Sequence, residues 1–260
     1  DTMTISTTLG STYSSGAGDD GFITALAGLV ATGVADHTIS AGAGTDTITI
    51  TDTNATVLTD NHFTNMSGME KIVMNTQNSS TVTTGGAFNS AFTDGVTLTV
   101  AGLTITDTFA YSGGLYAGDT TISVTTASAG VLSAQDTTIT TGAGSDTVTL
   151  SATAHIGHAT VGGTLTISTR AGDDTITVTT GTIASQTIVQ AVHITAGTGA
   201  DTVTLTAGAT NGDGSTSFDN ITIADGDSLV ASRDKITNFT LGGAIASDYA
   251  DVLDFDSVAV

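Results

Sequence analysis

Threonine and apolar residues alternate strictly through short stretches of this chain. Thr147-Val-Thr-Leu150, Thr164-Leu-Thr-Ile167, Thr175-Ile-Thr-Val178 and Thr202-Val-Thr-Leu205 each put apolar side chains on one face and threonine on the other. A period of two residues predicts strands with one buried face, and β-branched threonine suits a pleated, solvated surface. Helical periodicity is nearly absent, with Phe22 to Val30 the one modest helix candidate. Between the strands a turn recurs. Ile39-Ser-Ala-Gly-Ala-Gly-Thr-Asp-Thr-Ile-Thr-Ile50 returns as Ile139-Thr-Thr-Gly-Ala-Gly-Ser-Asp-Thr-Val-Thr-Leu150 and as Ile194-Thr-Ala-Gly-Thr-Gly-Ala-Asp-Thr-Val-Thr-Leu205. Ile167-Ser-Thr-Arg-Ala-Gly-Asp-Asp-Thr-Ile-Thr-Val178 keeps one glycine, and Gly16-Ala-Gly-Asp-Asp20 opens the series. Each copy reads as strand, Gly-x-Gly-x-Asp turn, strand.

The turn aspartates Asp20, Asp46, Asp146, Asp174 and Asp201 are separated by 26, 100, 28 and 27 residues, and 100 is close to four periods. Degenerate turns fill that gap at Gly68-Met-Glu70, Asp94-Gly95 and Gly118-Asp119, and the series continues to Asp227 and Asp251. A fixed period of this size marks a stacked repeat. The expected fold is all-β, a parallel β-solenoid of about ten coils of 24 to 28 residues, occupying 1–232, with 233–260 as a C-terminal cap. In such a stack only neighbouring coils touch, so stability accumulates coil by coil. An antiparallel sandwich also has short alternating strands, but its turns rarely reuse one sequence at a fixed period.

Composition then narrows the chemistry. Four Lys and Arg stand against 25 acids, a formal charge of −21. Nucleic acid is excluded as a partner, because phosphate neutralisation needs many basic side chains. Unneutralised charge of this size opposes compaction, and bound divalent cations would relieve it. Only one of the acids, Glu70, is glutamate; a short, stiff carboxylate is wanted where backbone forms part of a ligand cage. A solubility surface for a salty habitat would use both acids and would not space them periodically. The chain contains no cysteine, so it has neither disulfides nor thiolate metal sites. Threonine is about a fifth of the residues and aromatics are 5%, which favours a thin core of Val, Ile, Leu and Ala. No segment has the apolar length of a membrane span, and no cleavable signal peptide is visible; the start at Asp1 fits a processed protein or a fragment.

Glycine lets main-chain carbonyls turn toward one point, and calcium takes six to eight oxygens, carbonyl and carboxylate together. The Gly-x-Gly-x-Asp turns therefore predict several Ca²⁺ ions, each completed by the equivalent turn one coil away. The expected ligands are Asp19 and Asp20; Gly42, Gly44 and Asp46; Asp119; Gly142, Gly144 and Asp146; Gly172, Asp173 and Asp174; Gly197, Gly199 and Asp201; and Asp213, Asp225 and Asp227 on a later acidic rim. A single such turn would be explained by aspartate capping the backbone; the repetition on an acidic chain favours the ion. Asp36 and Asp136, each ten residues before a turn aspartate, fall on the opposite rim of the coil. Asn211-Gly-Asp-Gly-Ser215 with Asp219 resembles the start of an EF-hand loop, but Thr222 stands where the bidentate glutamate is needed.

These turns resemble the Gly-Gly-x-Gly-x-Asp-x-apolar-x repeats of RTX proteins, the calcium-binding β-rolls exported by type I secretion. Their wider spacing is more similar to type I-secreted bacterial surface-layer proteins, which are Thr/Ala/Gly/Ser-rich, free of cysteine and calcium-dependent. Asn65-Met-Ser-Gly-Met-Glu-Lys-Ile-Val-Met74 looks like a segment that recurs in those proteins. Arg233-Asp-Lys-Ile-Thr-Asn-Phe239 with Asp251-Val-Leu-Asp-Phe255 resembles the ending of RTX exports, which implies an uncleaved secretion signal. The resemblance implies a secreted structural protein at the bacterial cell surface that assembles with itself into a lattice or filament, with cell-surface polysaccharide as a further partner. The alternative is the distal part of an RTX-type adhesin that binds a surface, a glycan or ice. Thr-x-Thr pairs suit an ice lattice, although coils of 24 to 28 residues argue against a flat ice face.

Catalytic signatures are missing: the chain has no Gly-x-Ser-x-Gly elbow, no His-Glu-x-x-His and no phosphate loop. Arg170, inside a turn where a glycine is replaced, is expected to pair with Asp173 or Asp174. His37, His62, His155, His158 and His193 are expected at the surface. The chain is not expected to be an enzyme.

Overall fold

Strands that alternate Thr with Val, Ile or Leu stack in parallel through the described residues. The structure is a computed structural model and describes residues 1–7, 10–29, 37–74, 79–103, 107–126, 136–152, 164–179, 191–205, 218–223, 233–237 and 252–255. Ten strands form one parallel sheet in stacking order: Thr2–Thr4, Gly21–Thr24, Thr47–Ile50, Lys71–Met74, Val96–Leu103, Thr120–Thr126, Thr147–Ala152, Thr175–Thr179, Thr202–Leu205 and Lys235–Thr237. Eight more form a second parallel sheet: Thr56–Leu58, Ser80–Thr83, Phe109–Ser112, Thr137–Thr140, Thr164–Ser168, Ala191–Thr195, Phe218–Ile223 and Val252–Phe255. The protein is a parallel β-solenoid. Two of these strands, Lys235–Thr237 and Val252–Phe255, lie within 233–260 and add one strand to each sheet.

The core is a column of single apolar layers. Phe22, Ile48, Ile72, Leu98, Ile122, Val148, Ile176 and Val203 are paired strand to strand along the ten-stranded sheet, and all are buried. Ile139, Ile167 and Ile194 face them from the second sheet. At roughly 25 cal/mol per Å² of apolar area, each thin layer contributes modestly, so the fold depends on summing many layers rather than on one large core.

Near the N-terminus a third sheet, Thr12–Ala17, Thr38–Ala43 and Met66–Ser67, stands before the glycine turns. A helix over Gly86–Ala91 ends it: Met69 donates its N–H to the Ala91 carbonyl at 3.0 Å, where the next strand would pair. The helix start is held by Asp60, whose carboxylate accepts the Ala87 and Phe88 N–H groups at 3.2 and 2.8 Å. Phe63, Phe88, Phe92 and Tyr116 pack together there, three pairs edge to face with centroids 4.9 to 5.6 Å apart and Phe88 tilted on Phe92 at 4.6 Å. The helix expected at Phe22 to Val30 is replaced by the strand Gly21–Thr24 and a short 3₁₀ turn, Leu26–Gly28, because Phe22 belongs to the alternating core layer.

Candidate functional site: a column of carboxylates along the turns

The turn aspartates form a ladder along the solenoid. Each accepts, on one carboxylate oxygen, the backbone N–H of its counterpart one coil earlier. Asp46 Oδ1 accepts from Asp20 at 2.8 Å, Asp174 Oδ1 from Asp146 at 2.7 Å, and Asp201 Oδ1 from Asp174 at 2.8 Å. Asp146 Oδ1 accepts from Thr120 at 2.7 Å, and Glu70 accepts from Asp46 at 2.7 Å. Asp20, Asp46, Asp146, Asp174 and Asp201 are all buried, at most 5% exposed.

A second column runs one residue earlier and lies at the surface. Asp19, Asp119 and Asp173 accept the N–H groups of Thr45, Ser145 and Ala200 at 2.8, 2.8 and 2.9 Å. The Asp19-Asp20 and Asp173-Asp174 doublets are thus one inner and one outer ladder member each.

The glycines make this stacking possible. A Cβ on Gly42 would lie 1.7 Å from the Gly16 carbonyl oxygen, and one on Gly197 only 1.6 Å from that of Arg170. Gly44, Gly142, Gly144, Gly172 and Gly199 press in the same way on a carbonyl of the preceding coil. These turns therefore stack backbone on backbone, with a carbonyl oxygen of one coil against the glycine of the next. Arg170 holds φ at 69° in place of a glycine. Its guanidinium lies over Gly114 rather than on Asp173 or Asp174, and among the described residues no ion pair joins it to an acid.

The inner oxygens carry the chemistry. Oδ2 of Asp20, Asp46, Asp146 and Asp174 is buried with no hydrogen-bond partner among the described residues. Hydroxyls five residues earlier lie nearby but give their protons elsewhere: Ser15 to the Ala41 carbonyl at 2.5 Å, Thr141 to Thr169 at 3.3 Å, Thr169 to Ala196 at 2.6 Å. Burial pushes the Asp174 carboxyl up to about 7, with the charges of Asp146 and Asp201 adding to the rise and the Asp146 N–H opposing it. Burial likewise raises Asp146, and it raises Glu70, where the Asp46 and Asp94 carboxylates add to it.

A buried carboxylate oxygen without a donor costs free energy unless it is protonated or meets a cation. These residues fit a hard cation. Among the described residues no three acidic or imidazole side chains converge, so an ion here would draw its remaining ligands from the turn carbonyls, which calcium accepts.

Several expected positions shift. Asp94 and Asp119 stand outside the inner ladder; strand register gives those levels to Val96 and Thr120. Asp94 is exposed and, with Glu70 and Asp119, lines a shallow hollow. Beyond Asp201 the next member is Asp234, whose Oδ1 accepts the Asp201 N–H at 3.1 Å after 33 residues. A fixed-period count pointed instead to Asp227. The signal for Asp234 is the Asp-x-Ile-x pattern shared with Asp174 and Asp46. Asp213, Asp225, Asp227, Asp36, His155 and His158 lie outside the described residues. Asp136 begins the strand Thr137–Thr140 and accepts both the N–H and hydroxyl of Thr164. Thr222 sits within the strand Phe218–Ile223.

His37 is buried rather than at the surface. It accepts the Ser11 N–H on Nδ1 at 3.1 Å, with Nε2 2.8 Å from the Ser6 carbonyl. Among the described residues no helix is long and apolar enough to cross a membrane. Compared with protein-family models, characterised proteins and solved structures, the chain matches none of them.

Proposed function

We propose that this chain is a secreted, calcium-dependent structural protein that assembles with copies of itself at a bacterial cell surface, as a lattice or filament subunit. The observation that supports it is the run of buried carboxylates in which Asp46, Asp146 and Asp174 each accept a backbone N–H on Oδ1 and hold Oδ2 without a hydrogen-bond donor among the described residues. Several calcium ions along the turns would satisfy those oxygens and neutralise part of the −21 charge that keeps copies apart. A ligand that binds only the folded state stabilises it by about 2.7 kcal/mol per site at a hundred-fold excess over Kd. A few such sites would rival the whole stability of a typical domain, roughly 5–15 kcal/mol.

The test is calcium titration of the purified chain, followed by circular dichroism and electron microscopy. In chelator the β-signal should largely disappear and the protein should be monomeric; at millimolar calcium, ordered sheets or filaments should form. An unchanged spectrum and melting point in excess chelator sinks the calcium part. A folded but strictly monomeric protein across the calcium range favours the distal part of an adhesin instead.

One observation favours a second reading of the turns. The Oδ1 atoms of Asp46, Asp146 and Asp174 already accept backbone N–H groups, and burial raises Asp146 and Asp174, so this part of the column also works as an ion-free aspartate ladder in which those two carboxyls carry protons. The two readings differ in the effect of removing charge while keeping the acceptor.

A further inference from the structure

The outward face of the ten-stranded sheet carries a regular lattice of hydroxyls. Strand register is one to one across five consecutive strands. Thr97, Thr121, Thr147, Thr175 and Thr202 form one rank, and Thr99, Ser123, Thr149, Thr177 and Thr204 the next. All ten side chains are partly or fully exposed. The one register shift in these strands falls at Ala101/Leu103, past both ranks. Variation in coil length is therefore absorbed outside these ranks.

Three properties of this face select its ligand. First, its two ranks carry no charge of their own, although Thr97 and Thr121 border the acidic hollow of Glu70, Asp94 and Asp119. None of the 25 acids lies in any of the ten strands, and lysine stands only at Lys71 and Lys235, outside the two ranks. On a chain of charge −21 that is a strong asymmetry, and the ranks themselves offer no carboxylate to a cation or a basic protein. Second, no aromatic side chain faces outward here; Phe22, the only aromatic in these strands, is in the core. Sugar rings stack on exposed aromatics, and protein interfaces draw most of their energy from Trp, Tyr and Arg; this face offers none of them. Third, the spacing is set by the sheet. Neighbouring strands lie about 4.8 Å apart and alternate residues along a strand about 6.7 Å, close to the two repeats between oxygens on a prism face of ice.

Threonine is suited to the task because its branched Cβ restricts χ1, which holds hydroxyl and methyl in order before contact. Neighbouring hydroxyls can also bond along a rank, as Thr204 and Thr237 do at 3.1 Å. The second sheet lacks this regularity. Its register places Val57, Thr81, Ala110, Thr138, Thr166 and His193 in one rank.

We infer that the outward face of the ten-stranded sheet, centred on Thr149, binds ice through its two ranks of hydroxyls. The inference stands apart from self-assembly and from the ion.

The test is partition into slowly growing ice, with crystal morphology and thermal hysteresis measured alongside, on the full chain in calcium-containing buffer. The wild type should be carried into the ice and shape the crystals. Thr149→Tyr and Thr177→Tyr, which break a rank, should fall to the level of an inert protein, whereas Thr138→Tyr on the second sheet should behave as wild type. Circular dichroism of each variant checks folding, and either rank variant suffices if the other unfolds. Wild type left in the liquid overturns the inference, as does equal loss in Thr138→Tyr. Binding to a crystalline polysaccharide powder without partition into ice also overturns it and assigns the face to a glycan.

Discussion

Replacing Asp174 by asparagine separates the two readings of the carboxylate column. Asp174 is 1% exposed, its Oδ1 accepts the Asp146 N–H at 2.7 Å, and its Oδ2 has no donor. Asparagine keeps the Oδ1 acceptor, loses the charge, and offers Nδ2–H to the Thr169 hydroxyl oxygen. The carboxyl is raised from its ordinary 3.8 to about 7 by burial first and then by the neighbouring carboxylates. A group raised on folding gives its full stabilisation below the unfolded value and loses it as pH climbs through the folded value. In chelator at pH 8, ionised Asp174 therefore destabilises the fold relative to a neutral isostere, by at most about 4 kcal/mol at 1.36 kcal/mol per pH unit. Asp174→Asn should then melt higher than wild type at pH 8 and equal it near pH 4. Asp174→Ala should melt below Asp174→Asn at every pH, since an orphaned Asp146 N–H costs about 1–3 kcal/mol. Calcium should reverse the order at pH 8, because the ion requires the charge that asparagine lacks. Thermal melts of the three proteins at both pH values, with chelator and with calcium, make the comparison. Asp174→Asn as damaging as Asp174→Ala in chelator at pH 8 would refute the claim that the buried charge is a cost. An unchanged order in calcium would leave the ion-free ladder as the correct reading.

Asp174→Ala should also lower bound calcium, measured by isothermal titration, more than Asp94→Ala does, because Asp94 is exposed and outside the inner ladder; equal losses would show that the ladder is not the site. Gly197→Ala should lower the melting temperature far more than Gly16→Ala. Both have positive φ, a strain of about 1–2 kcal/mol, but only Gly197 would drive a Cβ to 1.6 Å from a backbone oxygen, while Gly16 meets nothing within 4 Å. Deleting 1–9 should weaken calcium-driven assembly, followed by light scattering, because Thr2–Thr4 is an outermost strand of the ten-stranded sheet and an exposed strand edge pairs readily with another chain. Unaltered assembly would place the contact elsewhere.

The fold was legible because its period is written twice, once in the Thr-apolar alternation and once in the Gly-x-Gly-x-Asp turns. Both signals are local, and stacking simply brings equal positions together. What the sequence hid is where the repeat breaks. Between Glu70 and Asp146 the inner positions are Val96 and Thr120, and an acid one or two residues away, at Asp94 or Asp119, imitates the motif. Only hydrogen-bonded register distinguishes an inner carboxylate from an outer one, since a shift of one residue turns a side chain to the opposite face. Asp234 was hidden for a related reason: its coil is longer than the period, and the excess is invisible until strand pairing is known. The Gly86–Ala91 helix has too few turns for periodicity to register, and its cap, Asp60, is 27 residues from Ala87, the nearer of the two residues whose N–H groups it accepts. His37 looked like a surface residue because nothing local marks its partners, Ser6 and Ser11, which are brought to it by the coil below.

The interruption also bears on how the column would behave. Asp20, Asp46 and Glu70 form one run of inner carboxylates, and Asp146, Asp174, Asp201 and Asp234 another. Adjacent inner carboxylates in a run are one coil apart, so the charge on one raises its neighbour's cost of ionisation; at Asp174 the charges of Asp146 and Asp201 add to a rise that burial dominates. Val96, with no charge, and Thr120, which only donates its N–H to Asp146, separate the two runs. At this level the solenoid is instead filled by Phe63, Phe88, Phe92 and Tyr116, with the Tyr116 hydroxyl donating to the Phe92 carbonyl at 2.8 Å. Packing takes over the stabilising role where the carboxylates are missing. In a stack where each coil touches only its neighbours, this aromatic level keeps the inner carboxylates of the two runs apart, and the charges that remain between them are the outer ones of Asp94 and Asp119, which add to the rise at Glu70 and at Asp146 respectively.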